Sequence, residues 1–291
     1  MPSHRKTISD AALDRLISDA LAIEAEEALK AGALGFMARA LVQATLPHKR
    51  VVGNEFTRRN GAFTLNLLAP SAVGLPYGTV PRLLLAWLTT EAVRTRSREL
   101  VLGDSLSSFM RELDMMPTGG RWGSITRLKT QTLRLFSTTV DCFYTSEERT
   151  GMVGYRIADQ AMLWWHPKAP DQAALWQSTV SLSEPFFREV VEHPVPVDMR
   201  ALRALKRSPM ALDMYAWLTY RMSYLSRTTE IPWGALAAQF GSDYARLRDF
   251  KGAFLGELRK VLAVYPAARA TEGDRGLVLK PSRPHIAVAR Q

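Results

Sequence analysis

Twice along this chain the residue pattern runs helix, strand, helix, helix, hairpin, and that order predicts a helix-rich α+β protein. The expected architecture is two tandem winged-helix domains behind an N-terminal helical extension. A short identity supports the duplication, since Ala86-Trp87-Leu88-Thr89 recurs as Ala216-Trp217-Leu218-Thr219. Length agrees, because 291 residues with 47% hydrophobic content can fill two well-formed cores. The expected divisions are 1–60 for the extension and an arm, 61–196 for the first winged helix and 197–291 for the second.

Apolar residues at three- and four-residue steps (Leu13, Leu16, Ile17, Leu21, then Leu29, Leu34, Met37, Leu41) predict helix across 10–46. The acidic run Glu24-Ala25-Glu26-Glu27 is a solvated face of it. His48 to Asn60 is polar and basic, with Lys49-Arg50 and Arg58-Arg59, and reads as a linker or arm. Phe63 to Leu68 is a short strand. Pro70 to Pro81 holds three prolines and two glycines and is therefore loop.

The first block opens with an apolar-faced helix from Pro81 to Arg94 and a strand at Glu99-Leu100-Val101-Leu102. After Gly103, either Asp104 or Ser105 caps a helix that carries Leu106, Phe109, Met110 and Leu113. A turn at Pro117-Thr118-Gly119-Gly120 leads to a longer helix from about Gly123 to Thr139. Val140–Ser146 and Met152–Ala158, across a turn at Glu147–Gly151, form a hairpin; strands follow at 161–165 and 176–182. Glu184–His193 is a helix and Pro194–Pro196 a hinge. The second block runs through a helix at Pro209–Leu225 and a strand at Thr229–Ile231. A helix from Pro232 to Phe240 follows, stopped by Gly241, and then a long helix from Asp243 to Tyr265. Arg269–Lys280 is a hairpin turning at 272–276.

Composition narrows function. Lys+Arg 38 against Asp+Glu 28 gives a net charge of +10, which favours a polyanionic partner such as nucleic acid. One cysteine, Cys142, excludes a disulfide framework and a thiolate metal cluster. His4, His48, His166, His193 and His285 stand singly, so neither a metal nor a cofactor is expected. The longest apolar run, Leu83 to Leu88, cannot span a bilayer, and no signal peptide is read near the start. A cytoplasmic protein with no membrane partner is the expectation.

In a winged helix the third helix enters the major groove and the wing touches the backbone. In the first block, residues 115–140 contain Arg121, Arg127, Lys129 and Arg134 and no acid. Ile125, Leu128, Leu135 and Phe136 define a buried stripe, with Arg127, Thr130 and Arg134 opposite it. In the second block the apolar face is Tyr244, Leu247, Phe250, Phe254, Leu255, Leu258 and Leu262. Arg246, Asp249, Ala253, Gly256 and Lys260 lie opposite, with Gly252 beside them, and small side chains there would let the backbone approach DNA. Arg248 and Lys251 flank the stripe and snorkel outward. The wing adds Arg275, Lys280 and Arg283 for phosphates.

These residues resemble a known family. Pro81-Arg82-Leu83-Leu84-Leu85-Ala86-Trp87-Leu88, Leu106-Ser107-Ser108-Phe109-Met110-Arg111-Glu112-Leu113 and Thr118-Gly119-Gly120-Arg121-Trp122-Gly123 closely resemble RepA-type plasmid replication initiators. Leu247-Arg248-Asp249-Phe250-Lys251 followed by Phe254-Leu255 is similar to the iteron-reading helix of the wider group, with Gly256 where many relatives have proline. The resemblance covers roughly residues 60–285. It implies a non-enzymatic protein that binds direct repeats (iterons) in the double-stranded DNA of a plasmid origin. It also implies opening of adjacent A·T-rich DNA, recruitment of a host initiator ATPase and replicative helicase, and autorepression as a dimer through the first winged helix. Base readout would fall to Arg246, Arg248 and Lys251.

Other signals are weaker. Gly103-Asp104-Ser105-Leu106 matches the letters of an esterase motif, but no Asp-x-x-His supplies a base, and Ser105 reads as a helix cap. A phosphate-binding Gly-x-x-x-x-Gly-Lys loop and a His-x-His pair are both missing. Tyr215, Tyr220 and Tyr224 read as core or interface, and Trp164, Trp165 and Trp176 as core. The rival readings are a dimeric winged-helix transcriptional regulator, told apart by an inverted rather than direct repeat, and a small-ligand hydrolase using Ser105.

Overall fold

A computed structural model describes residues 10–165, 168–172, 177–241 and 244–286. The readings at His4, His166, Trp176 and Asp243 lie outside the described residues. The N-terminal segment departs from the single helical run expected of it. Helix α1 (Asp10–Ala25) ends, the chain turns through Gly32 at φ +63°, and strand β1 (Leu34–Ala38) and helix α2 (Arg39–Gln43) follow. The Glu24 and Glu26 side chains are solvated at the end of α1, as expected. Periodicity misreads β1 because its partner is more than 150 residues away.

The expected arm is also ordered backbone. Strand β2 (Glu55–Asn60) turns at Gly61, φ +58°, into β3 (Phe63–Leu68), pairing Glu55 with Leu68 through to Asn60 with Phe63. Alternation buries Phe56 and Arg58, and the Arg58 guanidinium lies 4.8 Å from the Phe56 ring centroid. Half of the Arg58-Arg59 pair is therefore interior.

The next helices match the sequence closely. They are α3 (Val80–Thr95), strand β4 (Glu99–Val101), α4 (Leu106–Glu112) and α5 (Ser124–Ser137). Ser105 caps α4: its hydroxyl accepts the Ser108 N–H at 3.2 Å, and the Ser108 hydroxyl accepts the Ser105 N–H at 3.0 Å. The hairpin of β5 (Thr139–Thr145) and β6 (Thr150–Arg156) extends the β2–β3 ribbon to a four-stranded sheet in the order β2-β3-β5-β6. Strand β4 is completed instead by β7 (Ala158–Met162) and β8 (Thr179–Leu182), in the order β4-β8-β7. Strand β7 starts three residues before its predicted place at 161–165 and ends at Met162, beyond which Trp165 turns inward against Phe109, ring centroids 6.0 Å apart.

Helix α6 (Glu184–Glu192) leads into β9 (Pro194–Asp198), where a hinge was expected. Strand β9 pairs antiparallel with β1, Phe36 opposite Pro196 and Ala38 opposite Pro194. Two prolines are tolerated because β9 pairs on one side only and both fall in positions that need no N–H toward β1. The Phe36 N–H, pointing away from β9 in the same pair, donates to Thr90 Oγ1 of α3 at 2.9 Å.

A short helix that the sequence reading lacked, α7 (Met199–Leu205), precedes α8 (Pro209–Tyr224), β10 (Thr229–Pro232), α9 (Trp233–Phe240) and α10 (Leu247–Val264). The final hairpin, β11 (Arg269–Glu272) and β12 (Gly276–Lys280), joins β10 in the order β10-β12-β11. Helix α10 begins at Leu247, with Arg246 extended before it.

Buried apolar side chains form two clusters. One spans Ala38 to Val190 and includes Leu84, Leu88, Phe109, Leu128, Leu135 and Phe186. The other takes Ile23, Met37 and Val42 from the N-terminal segment and packs them with Tyr215, Trp217, Phe240, Phe250 and Phe254. Between the clusters sits a buried polar joint. Arg82 of α3 forks onto Asp213 of α8 through Nε–Oδ1 and Nη2–Oδ2, both 2.7 Å, and His48 Nε2 lies 2.8 Å from Asp213 Oδ2. The remaining Arg82 donors reach the carbonyls of Leu46, Pro47 and Gly78.

Candidate nucleic-acid interface

Helix α10 is built to show one face. Phe250, Phe254, Leu258, Val261 and Val264 are buried. Gly241 admits Phe250: a Cβ there would sit 2.4 Å from the ring. On the outer side, among the described residues and apart from the helix's own backbone, nothing lies within 4 Å of the Cβ positions of Gly252 and Gly256, so the helix is open there where the sequence suggested close approach, with Gly252 exposed and Gly256 half-buried.

The cations around that face divide. Arg246 is exposed at the helix start, and Arg248 is 80% exposed with the Asp249 carboxylate 3.8 Å away. Lys251 bends to Glu272 of β11 at 2.7 Å, its ammonium 5.1 Å from the Trp233 ring centroid. Lys260 pairs with Glu257 at 2.7 Å. In the final hairpin Arg275 is 87% exposed and 3.4 Å from Glu230, Lys280 is exposed, and Arg283 lies 3.5 Å from Glu27. The exposed pairs at Arg275 and Arg283 contribute about 0–1 kcal/mol, so a phosphate can displace the carboxylate there at little cost, whereas Lys260–Glu257 is mostly shielded.

Helix α5 divides too. Ile125, Leu128, Leu135 and Phe136 are buried as predicted, and Arg127 and Lys129 are exposed. Arg134 does not join Arg127 on the outer face. It folds back so that Nη1 donates to the Leu75 carbonyl at 3.3 Å and the guanidinium lies 5.2 Å from the Tyr77 ring centroid. There it lines, with Arg50, a cleft of 510 Å³ between Val51–Asn54 and Ser71–Leu75. Reading 48–60 as an arm hid Arg50.

The loop before α5 is tightly held. The Thr118 hydroxyl accepts the Ser124 N–H at 2.9 Å, the Ser124 hydroxyl accepts the Thr118 N–H at 2.9 Å, and Thr126 Oγ1 donates to the Gly120 carbonyl at 2.9 Å. Gly123 is required, because a Cβ would stand 2.2 Å from the Thr118 carbonyl oxygen. Arg121 and Trp122 project from this loop into solvent. The exposure of Trp122 is a feature that sequence reasoning missed; its place between two glycines and beside an arginine was the available signal.

Other candidates take structural roles. Ser105 is the α4 cap. Burial pushes the Cys142 thiol up to about 12, so it is protonated at neutral pH. Tyr215 is fully buried, Tyr220 and Tyr224 stack edge to face at 5.1 Å, and Trp164 is half exposed while Trp165 is core. Among the described residues no three His, Cys, Asp or Glu side chains cluster as a metal would need, and no helix is long and apolar enough to cross a membrane.

Comparison with known proteins gives one sequence match: residues 75–233 fit the family described as plasmid encoded RepA protein. No match was found among curated proteins. Two crystal structures of RctB domains 2 and 3 are similar in fold at 11% identity. A selenomethionine derivative has a TM-score of 0.52 over 84% of this chain and 95% of that one. The other has a TM-score of 0.48 over 83% of this chain and 96% of that one.

Proposed function

The chain belongs to the plasmid encoded RepA protein family, matched over more than half its length, and from that premise we propose that it initiates plasmid replication by binding direct repeats at the origin. The observation that carries this reading is the outer side of α10, where the open positions at Gly252 and Gly256 stand beside exposed Arg246 and Arg248. Small residues admit a groove wall, and the arginines supply donors for base edges.

Two winged-helix domains, 61–196 and 197–291, account for the arrangement. In the second, α8, β10, α9, α10 and the β11–β12 hairpin follow in order, and the sheet order β10-β12-β11 supports the assignment. In the first, the matching sheet is β4-β8-β7, so the β5–β6 hairpin is an insertion relative to the second. Residues 1–60 are the extension. The second domain reads bases through Arg246 and Arg248. Lys251 and Lys260 join by exchanging Glu272 and Glu257 for phosphate, and Arg275 and Lys280 hold the backbone. The first adds phosphate contacts through Arg121, Arg127 and Lys129, and Arg134 only after leaving Leu75. Opening of A·T-rich DNA, contact with a host initiator ATPase and helicase, autorepression as a dimer and action in the cytoplasm without catalysis complete the reading.

The test is a gel shift on DNA flanking the gene against random duplex at one salt concentration. One discrete complex per direct repeat is expected. Equal binding to both duplexes would remove the initiator reading, and binding to an inverted repeat alone would favour a dimeric regulator. Arg248→Ala should cost about 1–3 kcal/mol and relax specificity at one base pair, whereas Lys260→Ala should weaken all sequences alike.

A further inference from the structure

Among the described residues the one ring contact of Trp122 is with its neighbour Arg121, and the indole takes no part in either core cluster. The Trp122 side chain is 84% exposed, yet the loop that carries it is fastened by several side-chain hydrogen bonds. Thr118 and Ser124 exchange hydrogen bonds, the Gly123 N–H donates to the Gly120 carbonyl at 3.1 Å, and Gly120 turns the chain at φ +85°. A large aromatic surface offered to solvent on a rigid support marks a contact site, because little conformational freedom is lost on binding. The surroundings specify the partner. Residues 115–140 contain no acid, and Arg121, Arg127 and Lys129 are exposed around the loop, so the partner is anionic. It must also present an aromatic or flat apolar surface.

The Arg121 guanidinium lies over the indole, 5.1 Å from its centroid. The pair still leaves Trp122 84% exposed, so an indole face is free to stack on a flat partner, and a single unpaired base needs only one face. We propose that Trp122 is a stacking platform for an unpaired nucleobase, so that the loop before α5 holds single-stranded DNA with Arg121 and Arg127 on its phosphates. This rests on the DNA-binding reading above and gives Arg121 and Arg127, read there as duplex phosphate contacts, the phosphates of a single strand instead, on a surface apart from α10.

The experiment is a fluorescence-anisotropy titration of the full chain with labelled oligo(dT), alongside labelled duplex from beside the gene and random duplex, at one salt concentration. Trp122→Ala should weaken oligo(dT) binding by roughly 5- to 150-fold, the range expected for losing one base–aromatic stack, and Trp122→Phe should retain most of the affinity. Binding to both duplexes should change by less than about twofold, and the thermal midpoint should hold because the side chain supports no core. Unchanged oligo(dT) affinity in Trp122→Ala, equal losses on single strand and duplex, or no oligo(dT) binding by the unaltered chain would each overturn the proposal. So would a loss confined to self-association, which would reassign Trp122 to contact with a second copy. The duplex pair reads the α10 assignment separately: an unaltered chain that binds oligo(dT) but does not prefer its own flanking DNA keeps the platform and loses the repeat-binding role.

Discussion

At the scale of single residues, His285 shows how a polar group is made safe to bury. The Tyr215 hydroxyl accepts the Asp198 N–H at 2.9 Å and lies 2.6 Å from His285 Nδ1, so the two share a hydrogen bond. The imidazole is stacked on Tyr265 with centroids 4.7 Å apart. Burial, opposed by the Asp198 charge, holds its pKa down to about 4. His48 is lowered by burial as well, against the pull of its hydrogen bond to Asp213. In the unfolded chain both take a proton near pH 6.5. The unfolded state therefore binds more protons below that value, and stability is full above pH 6.5 and falls as pH drops toward 4. Urea midpoints should be lower at pH 5 than at pH 7.5, and His285→Gln should narrow the gap; identical midpoints in the unaltered chain would contradict this assignment.

At the scale of elements, the two basic helices show how far pattern reading reaches. The buried stripe of α5 and the open side of α10 were both legible, because each depends on a residue's own position along a helix. The fates of Lys251 and Arg134 were not, since Glu272 and Leu75 arrive from distant parts of the chain. The α10 glycines allow a test in two directions. Gly252→Ala and Gly256→Ala meet no other element among the described residues and should each stabilise the helix by up to about 1 kcal/mol, raising the thermal midpoint. The same methyl groups should weaken repeat DNA if that backbone lies against it, and unaltered affinity in the more stable double variant would place the DNA elsewhere. Gly123→Ala should do the reverse for α5: its Cβ collides with the Thr118 carbonyl, so the loop and the first turn should loosen, seen as faster hydrogen exchange there.

At the scale of the whole molecule, the two clusters are held by β1 pairing with β9 and by the joint of Arg82, Asp213 and His48. Burial alone would raise the Asp213 carboxyl, but Arg82 and His48 hold it below the usual carboxylate value, so the pair stays ionic. Removing one partner strands a buried charge. Arg82→Met should cost about 3–5 kcal/mol, and combining it with Asp213→Leu should return much of the loss, because neither charge is then left inside. Urea unfolding of the single and double variants decides this; an additive loss in the double variant would show that the joint is not a coupled pair.

The sequence by itself determined the mixed helix-and-strand class, the α3, α4, α5, α8 and α9 helices and the cap at Ser105. Each is a local matter of periodicity, propensity or a hydrogen bond spanning a few residues. Only the tertiary structure decided that Leu34–Ala38 and Pro194–Asp198 are strands, that β4 closes with β8, that Arg58 and Arg82 are interior, and that Trp122 is left outside. A strand with one distant partner carries little periodic signal, and an arginine such as Arg82 reads as surface until the carboxylate that pairs with it and the carbonyls that accept its remaining N–H groups are brought to it. Long-range pairing supplies those partners, and a one-dimensional pattern does not contain them.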